Sequence, residues 1–185
     1  TAIFSFSRKN RFGRHIAALH GRLGIPPAYR LEGNIPLQAE ARKLVSIGND
    51  IYGREQRMIA PAARAWREMR DTAERNGVVL QAVSAYRSVR YQEGIVRRKL
   101  EMGQAMEQIL QVSAAPGFSE HHTGRAIDLT TPGCEVLEEV FEDTDAFRWL
   151  SDNAALYGFS LSYPRGNPQG VCYEPWHWAW SVHSA

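Results

Sequence analysis

A chain of 185 residues with 44% hydrophobic content can bury one full core but not two large ones. The net charge is only +2, and no stripe of basic residues alternates with aromatics, so a nucleic-acid binder is not suggested, while the slight positive charge favours an anionic polymer such as cell wall. No apolar run approaches the length of a membrane span, and the two cysteines, Cys134 and Cys172, lack the spacing of a cysteine metal site.

Residues 1–35 mix basic, aromatic and Gly/Pro positions and read as an N-terminal extension with one short helix near Arg14–Leu23. Residues 36–57 are expected to add helical turns. Pro61 suits the first turn of a helix to about Asn76, with Ala62, Ala65, Trp66, Met69 and Ala73 as its apolar stripe and Gly77 as a stop. The run 78–88, rich in β-branched residues, predicts a strand. Residues 89–112 predict a helix, weakened at Gly94 and Gly103.

The stretch 113–124 is a loop by composition, and 124–129 reads as a buried strand. Its alternation places Ala126 and Asp128 on one face and Arg125, Ile127 and Leu129 on the other. Residues 135–157 suit another helix, with Val136, Val140, Phe147, Leu150 and Leu156 turned inward. The runs 158–166 and 171–180 read as two strands joined by a polar Gly/Pro loop. Helices and strands segregated in this way predict a single α+β domain with a mainly antiparallel sheet flanked by helices. The division expected is an extension at 1–50 packed on a core domain at 51–185.

Two short stretches carry candidate chemistry. The first is 119-SEHHTGRAIDL-129, with His121, His122 and Asp128 close together and the small residues Gly124 and Ala126 leaving space between them. The second is 174-EPWHWAW-180. In an ideal strand Glu174 and His177 would face opposite ways, but Pro175 opposes regular pairing, and a bend at 174–176 would turn both toward one site. Three protein ligands with a fourth position open to water is how catalytic zinc is held, and a carboxylate outside the ligand set then serves as proton acceptor. Spacing alone allows a second reading, in which Trp176, Trp178 and Trp180 are core residues and His177 is a hydrogen-bonded strand histidine.

The run Ser119-x-His121-x-x-Gly124-x-Ala126-x-Asp128, followed by Glu174-x-Trp176-His177, resembles the LAS zinc metallopeptidases, which include D-Ala-D-Ala peptidases and the hedgehog signalling domain. Within them the chain is most similar to the VanY-type D-alanyl-D-alanine carboxypeptidases. The run 86-YRSVRYQ-92, the stretch Pro116 to His121 and the Ser162–Pro164 triplet match that pattern, and the likeness covers roughly residues 60–180. The resemblance implies His121, Asp128 and His177 as zinc ligands and Glu174 as general base. It implies Arg87 as the partner of the substrate's carbonyl oxygen, and Ser119 and Gln92 as holders of the substrate's terminal region. His122 sits where the pattern does not require histidine.

The function implied is removal of the terminal D-alanine from peptidoglycan stem peptides. A D,D-dipeptidase or a cell-wall endopeptidase is the alternative, with the loop Ser162–Gly170 and residues 1–50 deciding between them. A zinc-bearing binding module is a third reading, which the presence of both Glu174 and Arg87 opposes. The implied location is periplasmic or otherwise extracytoplasmic. The chain begins at Thr1 without a signal-type apolar segment, which leaves a removed leader open. In an oxidising compartment, Cys134 and Cys172 could form a disulfide joining the two stretches that carry the site.

Overall fold

The computed structural model of the chain describes residues 11–31 and 34–181, the side chain of Arg30 excepted. The expected extension therefore lies partly outside the described residues, at 1–10 and 32–33. Its helix, α1, runs Arg11–Leu23, and a short α2 follows at Pro27–Leu31. Residues 36–57 do not form the expected helical turns. They hold a hairpin of β1 (Val45–Asn49) and β2 (Glu55–Met58), paired antiparallel. The cause is Asp50, whose Oδ1 accepts from the backbone N–H of Tyr52 and of Arg54, both at 2.9 Å. That side-chain turn, with Gly53 at φ 76°, reverses the chain.

Helix α3 spans Ala60–Arg75 and buries Ala62, Trp66, Met69 and Ala73, as its stripe predicts. The strand expected at 78–88 is β3, trimmed to Gln81–Ser84. The helix expected at 89–112 is two helices, α4 (Val89–Glu101) and α5 (Met106–Val112). The break falls at Gly103, whose φ of 82° no helix accommodates. Strand β4 covers Ala126–Thr130 with all five residues buried.

The single helix expected at 135–157 is broken as well. A 3-10 turn at Glu139–Asp143 precedes α6 (Asp145–Asn153), and another at Ala154–Tyr157 follows it. Thr144 restarts the helix, its Oγ accepting from the Phe147 N–H at 3.1 Å. The shifted phase leaves Val140 and Leu156, expected inward, 46% and 79% exposed, while Phe141 and Leu150 are buried. Strands β5 (Phe159–Leu161) and β6 (His177–Trp180) pair antiparallel, as the hairpin signal predicts.

The sheet runs β3-β4-β6-β5 with every neighbour antiparallel, so the fold is the α+β class expected. One core joins this sheet to α3 and α6 through Trp66, Ile127, Leu129, Leu150 and Phe159. A second joins α1 to α4 and α5 through Ile16, Leu19, Val96, Ile109 and Phe118. The two cysteines are not bonded to each other: Cys134 is half-buried and Cys172 exposed. Pairing of β4 with β6, rather than a disulfide, ties the two site-bearing stretches together. No helix among the described residues is long and apolar enough to cross a membrane.

Candidate active site

Register builds the centre. Asp128 stands directly opposite His177 in the β4–β6 ladder, so both side chains leave one face of the sheet side by side. His121 reaches the same point from the 3-10 turn Glu120–Thr123, which Gly124 closes at φ 66°. A side chain at Gly124 would also strike Leu44 Cδ2 at 2.8 Å. The glycine therefore serves the turn and its packing against Leu44, and not empty space beside the ligands.

His121, Asp128 and His177 offer one ligand atom each, all within 4.8 Å of one another, and all three residues are buried. His121 Nε2 lies 3.1 Å from Asp128 Oδ2, and His177 Nδ1 lies 3.0 Å from Asp128 Oδ1. The His121 Nδ1–H donates to the carbonyl of Ala85, which leaves the Nε2 lone pair facing inward. That Nε2 is buried with no hydrogen-bond partner among the described residues. Burial and the Arg87 charge push the His121 pKa down to about 4, so the ring is neutral. A neutral imidazole with an orphaned, inward lone pair beside a carboxylate fits zinc, and the N/O donor set suits zinc better than magnesium or calcium.

The bend expected at 174–176 is present. The His177 N–H donates to the Glu174 carbonyl at 3.0 Å, and Glu174 Oε2 comes within 3.7 Å of His177 Nδ1. Burial pushes the Glu174 carboxyl up to about 7, with the Asp128 charge adding to it and His177 opposing. Arg87 is less exposed than a surface arginine would be. Its Nη2 lies 3.8 Å from Asp128 Oδ2, and its Nε is buried without a partner among the described residues. Ser119 and Gln92 line the same cleft, 3% and 1% exposed. Gln92 Nε2 donates to the Ala114 carbonyl at 2.7 Å.

Two residues that the sequence reading left without a role hold this arrangement. Glu120 Oε2 lies 3.0 Å from His177 Nε2 and accepts from Ser162 Oγ at 2.6 Å. Burial disfavours a charged His177, yet its hydrogen bonds to Asp128 and Glu120 push its pKa up to about 10. Glu120 thus turns the ring so that Nδ1 faces Asp128 and Glu174, the way an outer carboxylate orients a metal-ligating histidine. His122 is fully buried and points away from the cluster. Its Nδ1–H donates to the Arg87 carbonyl at 2.6 Å, and its Nε2 accepts from the Gly117 N–H at 3.0 Å. It therefore stitches the arginine segment to the loop that carries Ser119. Neither role was legible, because Arg87, Ser162 and His177 lie 35 to 57 positions from the residue they meet and are brought to it by the fold.

Residues 55–183 match the family VanY, D-alanyl-D-alanine carboxypeptidase. YodJ of Bacillus subtilis (strain 168) is 39% identical over 121 residues, which are 63% of this chain and 43% of that protein. The match spans about two fifths of the length of YodJ and of the D-alanyl-D-alanine carboxypeptidase of Enterococcus faecalis. Among solved structures, the LD-carboxypeptidase LdcB is 34% identical with a TM-score of 0.68, over 78% of this chain and 71% of that one. The D,D-pentapeptidase VanY from a VanB-type resistance cassette, in complex with Zn(II), is 27% identical with a TM-score of 0.60, over 79% of this chain and 82% of that one. By that match over residues 55–183, the chain belongs to the VanY family of D-alanyl-D-alanine carboxypeptidases.

Proposed function

We propose that the chain is an extracytoplasmic zinc carboxypeptidase that releases the terminal D-alanine of peptidoglycan stem peptides, with His121, Asp128 and His177 holding the metal. Zinc, when bound there, acts as a Lewis acid on the scissile carbonyl and lowers the pKa of a water molecule toward 7. The Glu174 carboxylate takes the proton of the attacking water and passes it to the leaving amine. Its raised pKa near 7 suits both halves of that transfer. Arg87 donates to the carbonyl oxygen as negative charge develops on it, its Nε–H being buried without a hydrogen-bond partner among the described residues. Ser119 and Gln92 hold the substrate's terminal region against the cleft wall. The observation that carries this reading is the orphaned Nε2 of His121, 3.1 Å from the Asp128 carboxylate, in the cleft that Glu174 also lines.

The likeness to LdcB favours a second reading, L,D-carboxypeptidase action on a stem peptide that has already lost one D-alanine. One experiment separates the two. Zinc-loaded protein is incubated with peptides ending in D-Ala-D-Ala, L-Ala-L-Ala, D-Ala-D-Lac and L-Lys-D-Ala, and products are read by mass. The first reading expects one D-alanine released from D-Ala-D-Ala. Release from L-Lys-D-Ala alone selects the second, and release from neither overturns both.

A further inference from the structure

We propose that Glu40, which lies ahead of the family match, is a positioning residue for Arg87: its carboxylate holds the backbone just past the arginine and so sets the aim of the guanidinium into the metal-bearing cleft. This rests on the reading above, in which Arg87 meets the charge that develops on the substrate's carbonyl oxygen.

Arg87 needs such a hold, because little fixes its own side chain. Its Nε–H is buried without a hydrogen-bond partner among the described residues, and Nη2 stands 3.8 Å from Asp128 Oδ2, too far for a hydrogen bond. Burial first, and then the Arg87 charge, push the Lys99 pKa down, so a like charge also stands nearby. The guanidinium therefore inherits its aim from the backbone that carries it. Aim matters for a group that acts on a transition state, where an error of about 1 Å can cost on the order of 10²-fold.

That backbone is held at three points. The Arg87 N–H donates to the His121 carbonyl at 3.2 Å, and the Arg87 carbonyl accepts from His122 Nδ1 at 2.6 Å. Two residues on, the Val89 N–H donates to Glu40 Oε1. Val89 opens α4, and the first N–H groups of a helix have no partner within it. Ser88 Oγ takes the Tyr91 N–H at 3.0 Å, so it caps a different donor and does not stand in for Glu40. A carboxylate there also meets the positive end of the helix dipole. The Glu40 charge adds to burial in raising the Tyr86 pKa and opposes burial at His122. It thus lies close to the residue before Arg87 and to the histidine that holds the Arg87 carbonyl.

Glu40 is itself fastened on either side. The Gln38 N–H donates to the Gly117 carbonyl at 2.7 Å, and the Ala41 N–H to the His122 carbonyl at 2.8 Å. Ala41 and Leu44 pack against Gly124, where an added Cβ would meet Leu44 Cδ2 at 2.8 Å and Ala41 Cβ at 3.3 Å. The segment that carries Glu40 is therefore pinned to the turn that carries His121, so the arginine and a metal ligand share one anchor. Glu40 is exposed and belongs to neither core, so its replacement opens no cavity.

The test compares Glu40→Ala and Glu40→Gln in the zinc-loaded protein, alone and combined with Arg87→Ala, on the peptide that the parent cleaves. Glu40→Ala should lower kcat roughly tenfold with KM little changed, less than the loss from removing the arginine itself. Glu40→Gln keeps an oxygen for the Val89 N–H and should recover most of that loss. In the Arg87→Ala background Glu40→Ala should cost under about twofold, because the group it aims is gone. A general loss of structure would act equally in both backgrounds; that outcome overturns the proposal, as does an unchanged kcat. The Arg87 Nε–H signal in proton–nitrogen NMR gives a readout without turnover. It should shift or broaden in Glu40→Ala and stay in place in Glu40→Gln. If the parent releases no D-alanine from any peptide, the activity reading fails and this signal decides alone: unmoved in Glu40→Ala, it overturns the role of Glu40 as well.

Discussion

The two sides of the cleft are built by different means. On the sheet side, Asp128, His177 and Glu174 are placed by backbone bonding: the β4–β6 register fixes two of them, and the turn from Glu174 to His177 fixes the third. On the helix side, Gln92 is carried by α4, which packs into the core shared with α1 and α5, and its Nε2 donates to the Ala114 carbonyl. Backbone register allows almost no continuous adjustment, since a slip by one residue reverses every side chain. Packed helices yield by fractions of an ångström. On the reading proposed above, the chemistry falls to the sheet side and the hold on the substrate to the helix side.

The strongest way to break this division is on the sheet side. His177→Ala should empty the metal site and bring turnover to background, as read by metal analysis and product mass. A tightly held zinc in that variant would refute the ligand set. Glu174→Ala should keep its zinc and its fold and lose turnover by roughly 10²–10⁴. Next comes the residue between the two sides. Arg87→Ala should lower kcat by roughly 10²–10³, the usual effect of removing one donor to a developing oxyanion. Arg87→Lys should restore little, because an ammonium lacks the planar fork. A raised KM with kcat intact would place Arg87 with the ground-state binding groups instead.

His122 sharpens the comparison, because it spans both sides without touching either set of reacting groups. His122→Ala leaves the Arg87 carbonyl and the Gly117 N–H without their partner. About 1–3 kcal/mol of stability should go with each orphaned group, measured by denaturant unfolding. His122→Asn, which keeps a donor where Nδ1 stood, should recover more of the lost stability than His122→Leu. Smallest in its effect on chemistry is Ile16→Ala, in α1. It should cost about 2–5 kcal/mol of stability and raise KM more than it lowers kcat, since Ile16 is buried in the core of the helix side.

The same contrast explains what could be read from the sequence. Strand β4, helix α3, the final hairpin and the bend at Pro175 were legible because periodicity and a proline act locally. The errors lie where a local signal was overridden. The turn at 50–54 is made by one aspartate's hydrogen bonds, so a run expected to be helical became a hairpin. Gly103 and Thr144 each reset the phase of a long helical pattern, which is why Val140 and Leu156 ended outside. Glu120 carries no signal of its own beside His121. Only the fold brings Ser162 and His177, 42 and 57 positions away, onto its carboxylate.

The β1–β2 hairpin has a consequence for anyone who transplants this domain. Asp50 Oδ2 accepts from Gln56 Nε2 at 2.8 Å, Gln56 Oε1 accepts from the Ala85 N–H at 2.8 Å, and the Ala85 carbonyl takes the His121 Nδ1–H. A cut at residue 55, where the family match begins, would sever this relay at its first link and remove Leu44 from behind Gly124. A chimera should therefore be joined ahead of Leu44, so that the hairpin travels with the histidine whose tautomer it helps to fix.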